Sequence, residues 1–214
     1  MGSAYAPSTT LNGPLLRIID DELIAVVQAC HAGGRGDQMS SVATFLSSPK
    51  AVGTWKLDPG QSSIRFENGT MWGALKVRGA FTEFSGSGEI KEDKSVSGRV
   101  DIKAASINTG LSTRDHDLRR SNFFNTDLYP DITVVVTGGE PVGDDIARLD
   151  ADLTVKGITG PLPLKVEVSP LNDGGVRLTT ETTVTRKQFA VEGNFLGMVG
   201  NRTKLKASLV FRRA

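Results

Sequence analysis

Cysteine and histidine are scarce in this chain. The single cysteine, Cys30, cannot form a disulfide within the chain, so nothing in the sequence requires an oxidising compartment. Only two histidines are present, His31 and His116. Metal centres and nucleophilic sites need several convergent ligands or an oriented base. We therefore expect no metal site, and we predict that the protein is not an enzyme.

Excess charge and long apolar runs are also lacking. The 25 basic and 24 acidic residues leave a formal net charge of +1, which provides no strong field for nucleic acid. The most apolar N-terminal stretch, Leu15–Ala29, contains Arg17 and the acidic run Asp20-Asp21-Glu22. It therefore matches neither a signal peptide nor a membrane-spanning helix. We expect a cytoplasmic protein without an integral membrane segment and without a nucleic-acid partner.

Residues 1–50 have a helical pattern. Apolar residues recur there at steps of three and four, which places them on one helix face. These residues are Leu15, Ile19, Leu23, Val26, Val27 and Cys30. Gly33–Ser41 is typical of a linker, and Ser41–Ser48 predicts another short helix. An extension of this size cannot form its own core. We predict that its helix docks on the rest of the chain or on a second subunit of a homodimer.

From Thr54 onward the hydrophobic period is two. Apolar and polar residues alternate along residues 96–103, 149–156, 162–168 and 204–211. Further strands fit residues 62–67, 71–79, 86–92, 132–137 and 176–186. Such one-sided runs are typical of half-buried antiparallel strands, and closure into a barrel removes exposed edges. We predict an all-β antiparallel barrel of about eight strands over residues 51–214, with room inside for side chains or one small ligand.

One segment departs from the strand pattern. Leu111–Asn122 predicts a short helix, with Ser112 as the N-cap and Asp115 at the capping-box position. The helix would run to about Ser121 and deliver the pair Phe123-Phe124. We interpret this helix as a lid at one mouth of the barrel.

Several ordered motifs resemble those of the YceI-like family over residues 54–212. The central block is Ser106-Ile107-Asn108-Thr109-Gly110, Arg114-Asp115, Leu118-Arg119, Phe123-Phe124 and Tyr129-Pro130. Flanking blocks are Trp55, Leu57-Asp58, Ser62-Ser63-Ile64, Val77-Arg78-Gly79, Leu153–Thr159 and Arg186 with Phe189. The resemblance implies a lipocalin-like barrel, of bacterial type, whose apolar tunnel holds a polyisoprenoid. It implies a bound lipid and no other cofactor.

The resemblance also directs attention to particular side chains. Aromatic residues are predicted to line the tunnel and lid, although a packed core is the stronger explanation for any one of them: Phe66, Trp72, Phe81, Phe84, Phe123, Phe124, Tyr129, Phe189 and Phe195. Arg114, His116 and Arg186 are candidates to contact a ligand headgroup. The alternative for the two arginines is a structural ion pair or a clamp on backbone carbonyls. For Asp115-His116-Asp117 the alternative is helix capping and solvated charge.

Two functions follow from these observations. The first is binding, transport or storage of a polyisoprenoid lipid or isoprenoid quinone inside the barrel. The alternative is a stress-protection or protein-interaction domain on the same scaffold, without a carried ligand. A filled interior would favour the alternative, and an open apolar interior would favour the carrier.

Overall fold

The computed structural model describes residues 41–70, 74–193 and 199–214. The predicted helix over Leu15–Cys30 lies outside the described residues, and so do Trp72 and Phe195. Within the unit formed by residues 39–214, no helix of the described part is long and apolar enough to cross a bilayer.

Antiparallel strands make up most of the described chain. The strands are β1 (Gly53–Thr70), β2 (Leu75–Phe81), β3 (Phe84–Ile90), β4 (Val96–Lys103), β5 (Ile107–Asn108), β6 (Asp131–Pro141), β7 (Ile146–Val155), β8 (Ile158–Pro161), β9 (Leu164–Pro170), β10 (Val176–Thr185) and β11 (Val199–Arg213). The helices are α1 (Ser41–Ser47) and α2 (Ser112–Arg119), with short 3-10 turns at Ala104–Ser106 and Arg186–Phe189.

The sheet closes on itself because β1 pairs with β11. Their register runs from Trp55 opposite Arg213 to Thr70 opposite Val199. β3 pairs with the first part of β1 and β2 with the last part, so β2 and β3 act as one interrupted strand. The circuit then passes through β4, β6, β7, β9 and β10 back to β11. The prediction of an antiparallel barrel of about eight strands is confirmed.

A bulge in β1 lies where its partner changes from β3 to β2. The pairing with β11 shifts between Asp58 and Ser63, around the residues Pro59 and Gly60. The Ser62 hydroxyl takes the place of a backbone acceptor here: it accepts a bond from the Val210 N–H at 2.9 Å and donates to the Asp58 carbonyl at 2.6 Å. The bulge therefore re-aims a long strand without leaving these ladder groups unpaired.

The predicted alternation places apolar side chains inside the barrel. On β9, Leu164, Val166 and Val168 are buried, whereas Lys165 and Glu167 are exposed. β7 repeats the pattern with buried Ala151, Leu153 and Val155. Each strand therefore contributes one row to a common core.

Helix α1 closes one end of the barrel, and the helix predicted over Ser41–Ser48 is confirmed. Val42 is 2% exposed, and the Phe45 ring lies 5.6 Å from the Trp55 ring. The Trp55 indole N–H donates to the Ala51 carbonyl at 2.9 Å, which satisfies the buried nitrogen. A cavity of about 110 Å³ remains beneath the helix. Packing of the barrel unit therefore includes α1.

Candidate functional site

A large cavity occupies the barrel between its centre and helix α2. Its volume is about 750 Å³, which is within the range of small-molecule sites. The wall is mostly aliphatic and aromatic, with contributions from β1, β2, β4, β6, β7, β9, β10 and β11. Its apolar members include Ile64, Phe66, Val77, Phe81, Val100, Ile102, Ile107, Ile132, Val134, Leu153, Val155, Leu162, Leu164, Val184, Leu205 and Leu209.

Small side chains help to keep this space open. Thr180 and Thr182 on β10 and Ala207 on β11 line the cavity among the larger residues. The Thr180 hydroxyl donates to the Lys165 carbonyl at 2.8 Å, so its polar atom is satisfied by the backbone. A wall of this kind offers a guest mainly apolar contact.

Five of the aromatic residues singled out in the sequence lie on the cavity wall: Phe66, Phe81, Phe123, Phe124 and Phe189. Three of these rings contact one another in a row, with Phe81 in the middle. The Phe66 and Phe81 ring centroids are 5.8 Å apart, and Phe124 meets Phe81 edge-on at 6.1 Å. These rings connect the barrel wall to the segment after α2.

Phe84 and Tyr129 lie off the cavity wall. Phe84 is half-buried and packs against the core without lining the cavity. The Tyr129 ring packs over Gly157, where a β-carbon would approach the ring to 3.1 Å. The lining role predicted for these two residues is not supported by their positions, because each ring is used in packing elsewhere.

The central sequence motif anchors α2 to the barrel. The Thr109 hydroxyl donates to Asp115 and accepts a bond from the Arg114 Nε at 2.7 Å. Asp115 also accepts the Thr109 backbone N–H at 2.9 Å, and Arg119 donates to the Ala105 carbonyl at 2.9 Å. Polar side chains of the helix therefore bind the segment that leads into it.

The helix boundaries differ from those predicted. The N-cap is Leu111 and not Ser112, and no side chain caps the helix there. Asp115 does not complete a capping box because its carboxylate is engaged by Thr109. The helix ends at Arg119 and not at about Ser121, and turns follow up to Phe124.

The segment after α2 covers the cavity and is held in place by contacts with Gly193 and Lys156. The Phe123 ring lies directly over Gly193, where a β-carbon would be only 2.5 Å from the ring. The Gly193 N–H donates to the Asn122 carbonyl at 2.6 Å. Lys156 donates to the Ser121 carbonyl at 3.1 Å and to the Ala190 carbonyl at 2.7 Å. The cover is thus fixed mainly through backbone groups.

Arg186 lines the cavity and is itself buried. It is 7% exposed, and its guanidinium donates to four backbone carbonyls, those of Val191, Gly193, Val199 and Gly200. Burial lowers the pKa of this guanidinium, although arginine remains protonated. These contacts match the structural alternative to a headgroup role, because the donors hold two stretches of chain together.

The other two headgroup candidates differ in position. Arg114 lines the cavity while its guanidinium also binds Thr109. His116 is exposed and lies off the wall, so its position does not support a headgroup contact. Asp117 lies at the mouth, 3.4 Å from Arg120. Among the described residues, no cluster of three or more His, Cys, Asp or Glu side chains could hold a metal ion.

Asn68 is a wall residue that was not chosen as a site residue from the sequence. It is 8% exposed, and its Nδ2 donates to the Thr203 hydroxyl at 2.8 Å and to the Gly200 carbonyl at 3.1 Å. A signal was available: Ile64, Phe66 and Asn68 fall two residues apart, so the inward row of β1 continues through the asparagine. Asn68 and Arg186 share Gly200 as acceptor and form a polar corner of the cavity.

Comparison with solved structures places the fold among bacterial barrels. BcnA of Burkholderia cenocepacia superposes with a TM-score of 0.66 at 22% identity, covering 72% of this chain and 98% of that one. A polyisoprenoid-binding domain from Saccharophagus degradans superposes with a TM-score of 0.62 at 19% identity, covering 75% of this chain and 98% of that one. The lipocalin-like barrel implied by the motifs is confirmed as the fold.

Sequence comparison agrees. Protein YceI of Escherichia coli is 31% identical over 121 residues, which are 53% of this chain and 63% of that protein. A UPF0312 protein of Photorhabdus laumondii is 30% identical over 138 residues, 61% of this chain and 69% of that protein. This chain therefore spans less than two thirds of the length of its Escherichia coli relative. The sequence model of the YceI-like domain matches residues 55–211, and the chain belongs to the YceI-like family.

Proposed function

We propose that the barrel binds a long apolar chain, a polyisoprenoid lipid or isoprenoid quinone, and carries or stores it without chemical change. The observation that supports this most is the cavity of about 750 Å³ with a wall made mainly of aliphatic and aromatic side chains. The description of the Saccharophagus degradans barrel as polyisoprenoid binding agrees with it. An open interior argues against a barrel that serves only as an interaction surface.

The energetics favour a chain-like ligand. Each methylene transferred from water to such a wall contributes about 0.8 kcal/mol. A chain that buries about 500 Å² would gain roughly 12 kcal/mol before losses. Ordering a flexible chain and loss of overall motion offset part of this gain. We therefore expect a net dissociation constant near micromolar, which corresponds to a binding free energy of about −8 kcal/mol.

The polar end of the ligand belongs at the α2 end of the cavity in this proposal. Thr113, Arg120 and Asn122 line the cavity there, whereas the opposite end of the barrel is closed by α1. An uncharged quinone ring or a hydroxyl group would find donors at the mouth and mainly apolar contact deeper in. We propose no chemical change to the bound isoprenoid at this site.

The first experiment identifies the ligand. The full chain is purified under gentle conditions, extracted with organic solvent, and the extract is analysed by mass spectrometry. We expect an isoprenoid at a ratio approaching one per barrel. Extracts from several hosts that contain no isoprenoid, together with no binding of added farnesol or longer polyprenols, would overturn the proposal.

A pair of neighbouring threonines provides a matched test of the binding site. Thr182 lines the cavity, and Thr183 on the same strand is exposed. Thr182→Phe fills part of the cavity, so we expect at least a tenfold loss of polyprenol affinity, or about 1.4 kcal/mol. Thr183→Phe adds the same ring outside and should leave affinity unchanged. Calorimetric titration of delipidated protein measures both, and equal effects of the two changes would contradict the proposed site.

A further inference from the structure

Large apolar side chains are exposed around the mouth of the cavity. Leu111 is 52% exposed and lines the opening. Leu75 is 56% exposed and pairs with Thr70, a wall residue at the end of β1. Leu128 and Ile158 are 65% and 40% exposed, and they lie on one part of the rim because their neighbours Tyr129 and Gly157 are in contact. Exposed apolar groups gathered at one end of a molecule usually mark an interaction site.

Basic side chains surround the same mouth. Arg119, Arg120, Lys187 and Arg202 are exposed on the α2 end, and Lys156 and Arg114 are half-buried there. Carboxylates are fewer on these loops: Asp117 pairs with Arg120, Glu67 pairs with Lys76 and Arg78, and Asp127 and Glu192 are exposed. The mouth therefore has a positive rim in a protein whose formal net charge is only +1.

The charges at the opposite end of the barrel are mixed. Its turns carry Glu92 and Asp93 between β3 and β4 with Lys91 and Lys94 beside them, Asp144 and Asp145 between β6 and β7, and Asp173, which pairs with Arg212, between β9 and β10. The Val42 N–H donates to the Asp144 carbonyl, so this end is the one that α1 covers. The positive charge of the mouth rim is therefore not repeated at the far end, and an anionic surface would attract the mouth more strongly.

We propose that the mouth rim docks on an anionic lipid bilayer, with Leu75, Leu111, Leu128 and Ile158 among the lipid chains and the basic side chains against the lipid phosphates. This inference rests on the proposed function, because a long apolar ligand has a negligible concentration in water and has to be collected from a membrane. Apolar residues flanked by Lys and Arg are the chemistry of an interfacial anchor. In this orientation the cavity opens towards the bilayer and the ligand avoids bulk water.

Vesicle flotation of the full chain tests the docking. Vesicles of phosphatidylcholine alone are compared with vesicles containing phosphatidylglycerol. We expect binding to the anionic vesicles only, weakened at salt near about 0.5 M, where the Debye length is only a few ångström. Binding to neither kind of vesicle would overturn the proposal.

The matched variants are Leu128→Ser with Ile158→Ser at the mouth, and Val142→Ser at the far end. Val142 is 50% exposed, so its replacement removes exposed apolar surface at the far end, although less than the two mouth replacements remove. We expect the mouth variant to lose vesicle binding at least tenfold and the far-end variant to keep it. Equal behaviour of the two variants would overturn the docking site.

A second readout separates this inference from the function on which it rests. Leu128 and Ile158 lie off the cavity wall, so farnesol binding measured in vesicle-free buffer should be the same in both variants and in the unaltered chain. Farnesol binding without vesicle binding would refute the docking alone. Vesicle binding without farnesol binding would refute the proposed function alone.

Discussion

At the scale of single residues, two arginines and one glycine explain much of the local architecture. Arg186 and Arg114 stand in the family motifs, and the sequence left open whether they bind a headgroup or the protein itself. Both guanidinium groups bind neighbouring chain segments. Which carbonyls they clamp could not be predicted, because the acceptors lie within 14 residues of each arginine, in irregular turns and at the start of β11, where no hydrophobic period describes the path of the chain.

Gly79 allows two chain segments to approach. A β-carbon at this position would lie 2.5 Å from the Phe66 ring and 2.8 Å from the Asn108 carbonyl oxygen. The ring can turn away, but the carbonyl is part of the backbone pairing between β2 and β5. We expect Gly79→Ala to destabilise the protein by about 1–3 kcal/mol through overpacking, measured by urea unfolding.

The control for this change is Gly138→Ala. The nearest atom to a β-carbon there is 3.9 Å away, and the residue is likewise in a strand. We expect its free energy of unfolding to change by less than about 0.5 kcal/mol. If both alanine variants were equally stable, the close approach at Gly79 would have no energetic weight.

At the scale of elements, most strands were predictable and the short ones were not. The alternation along 96–103 coincides with β4, and the further strand predicted over 176–186 matches β10 to within one residue. β5 and β8 have two and four residues, too few for a period of two to appear. The run predicted over 71–79 is shifted relative to β2, which begins at Leu75.

The cover formed by Phe123 and Phe124 is predicted to control ligand exchange. Both rings line the cavity and both are half-buried. Replacing both with alanine should raise the ligand dissociation rate at least tenfold by opening the mouth, measured by stopped-flow transfer of a fluorescent polyprenol. The double replacement will also lower the free energy of unfolding, since replacing a buried phenylalanine with alanine costs several kcal/mol.

Phe84→Ala separates the two effects. Phe84 is also half-buried and packs on the core, but it does not line the cavity. This variant should lose stability while its dissociation rate stays within twofold of the unaltered protein. If the dissociation rate instead followed stability in all variants, the lid interpretation would be refuted.

Helix α1 is predicted to stabilise the closed end of the barrel. Phe45 contacts Trp55 and borders the small cavity of about 110 Å³. Phe45→Ala would enlarge that cavity, so we expect a loss of about 2–4 kcal/mol and a red shift of tryptophan fluorescence. Ser47→Ala, at an exposed position of the same helix, should change neither. A fully stable Phe45→Ala protein would show that α1 is dispensable.

At the scale of the whole molecule, the sequence predicted the closed barrel but not the shape of its interior. Small wall residues such as Thr182 and Ala207 leave volume among larger side chains. The same pattern of small and large residues also fits a filled, tapered barrel. Only the arrangement of all rows around the axis distinguishes the two. The positive rim of the mouth was hidden for a similar reason, because its basic residues come from separate loops and acidic residues elsewhere in the chain cancel them in the total.

The pairing of β1 with β11 has a consequence for the order of folding. Phe66 and Leu205 are partners in this seam, and both face the cavity. The seam joins the first strand of the barrel to the last, the contact of greatest sequence separation and the costliest in loop-closure entropy. A nascent chain therefore has no enclosed lumen until β11 has been synthesised. A ligand that touches both sides of the seam binds only the closed barrel and, by mass action, favours the closure that creates its own site.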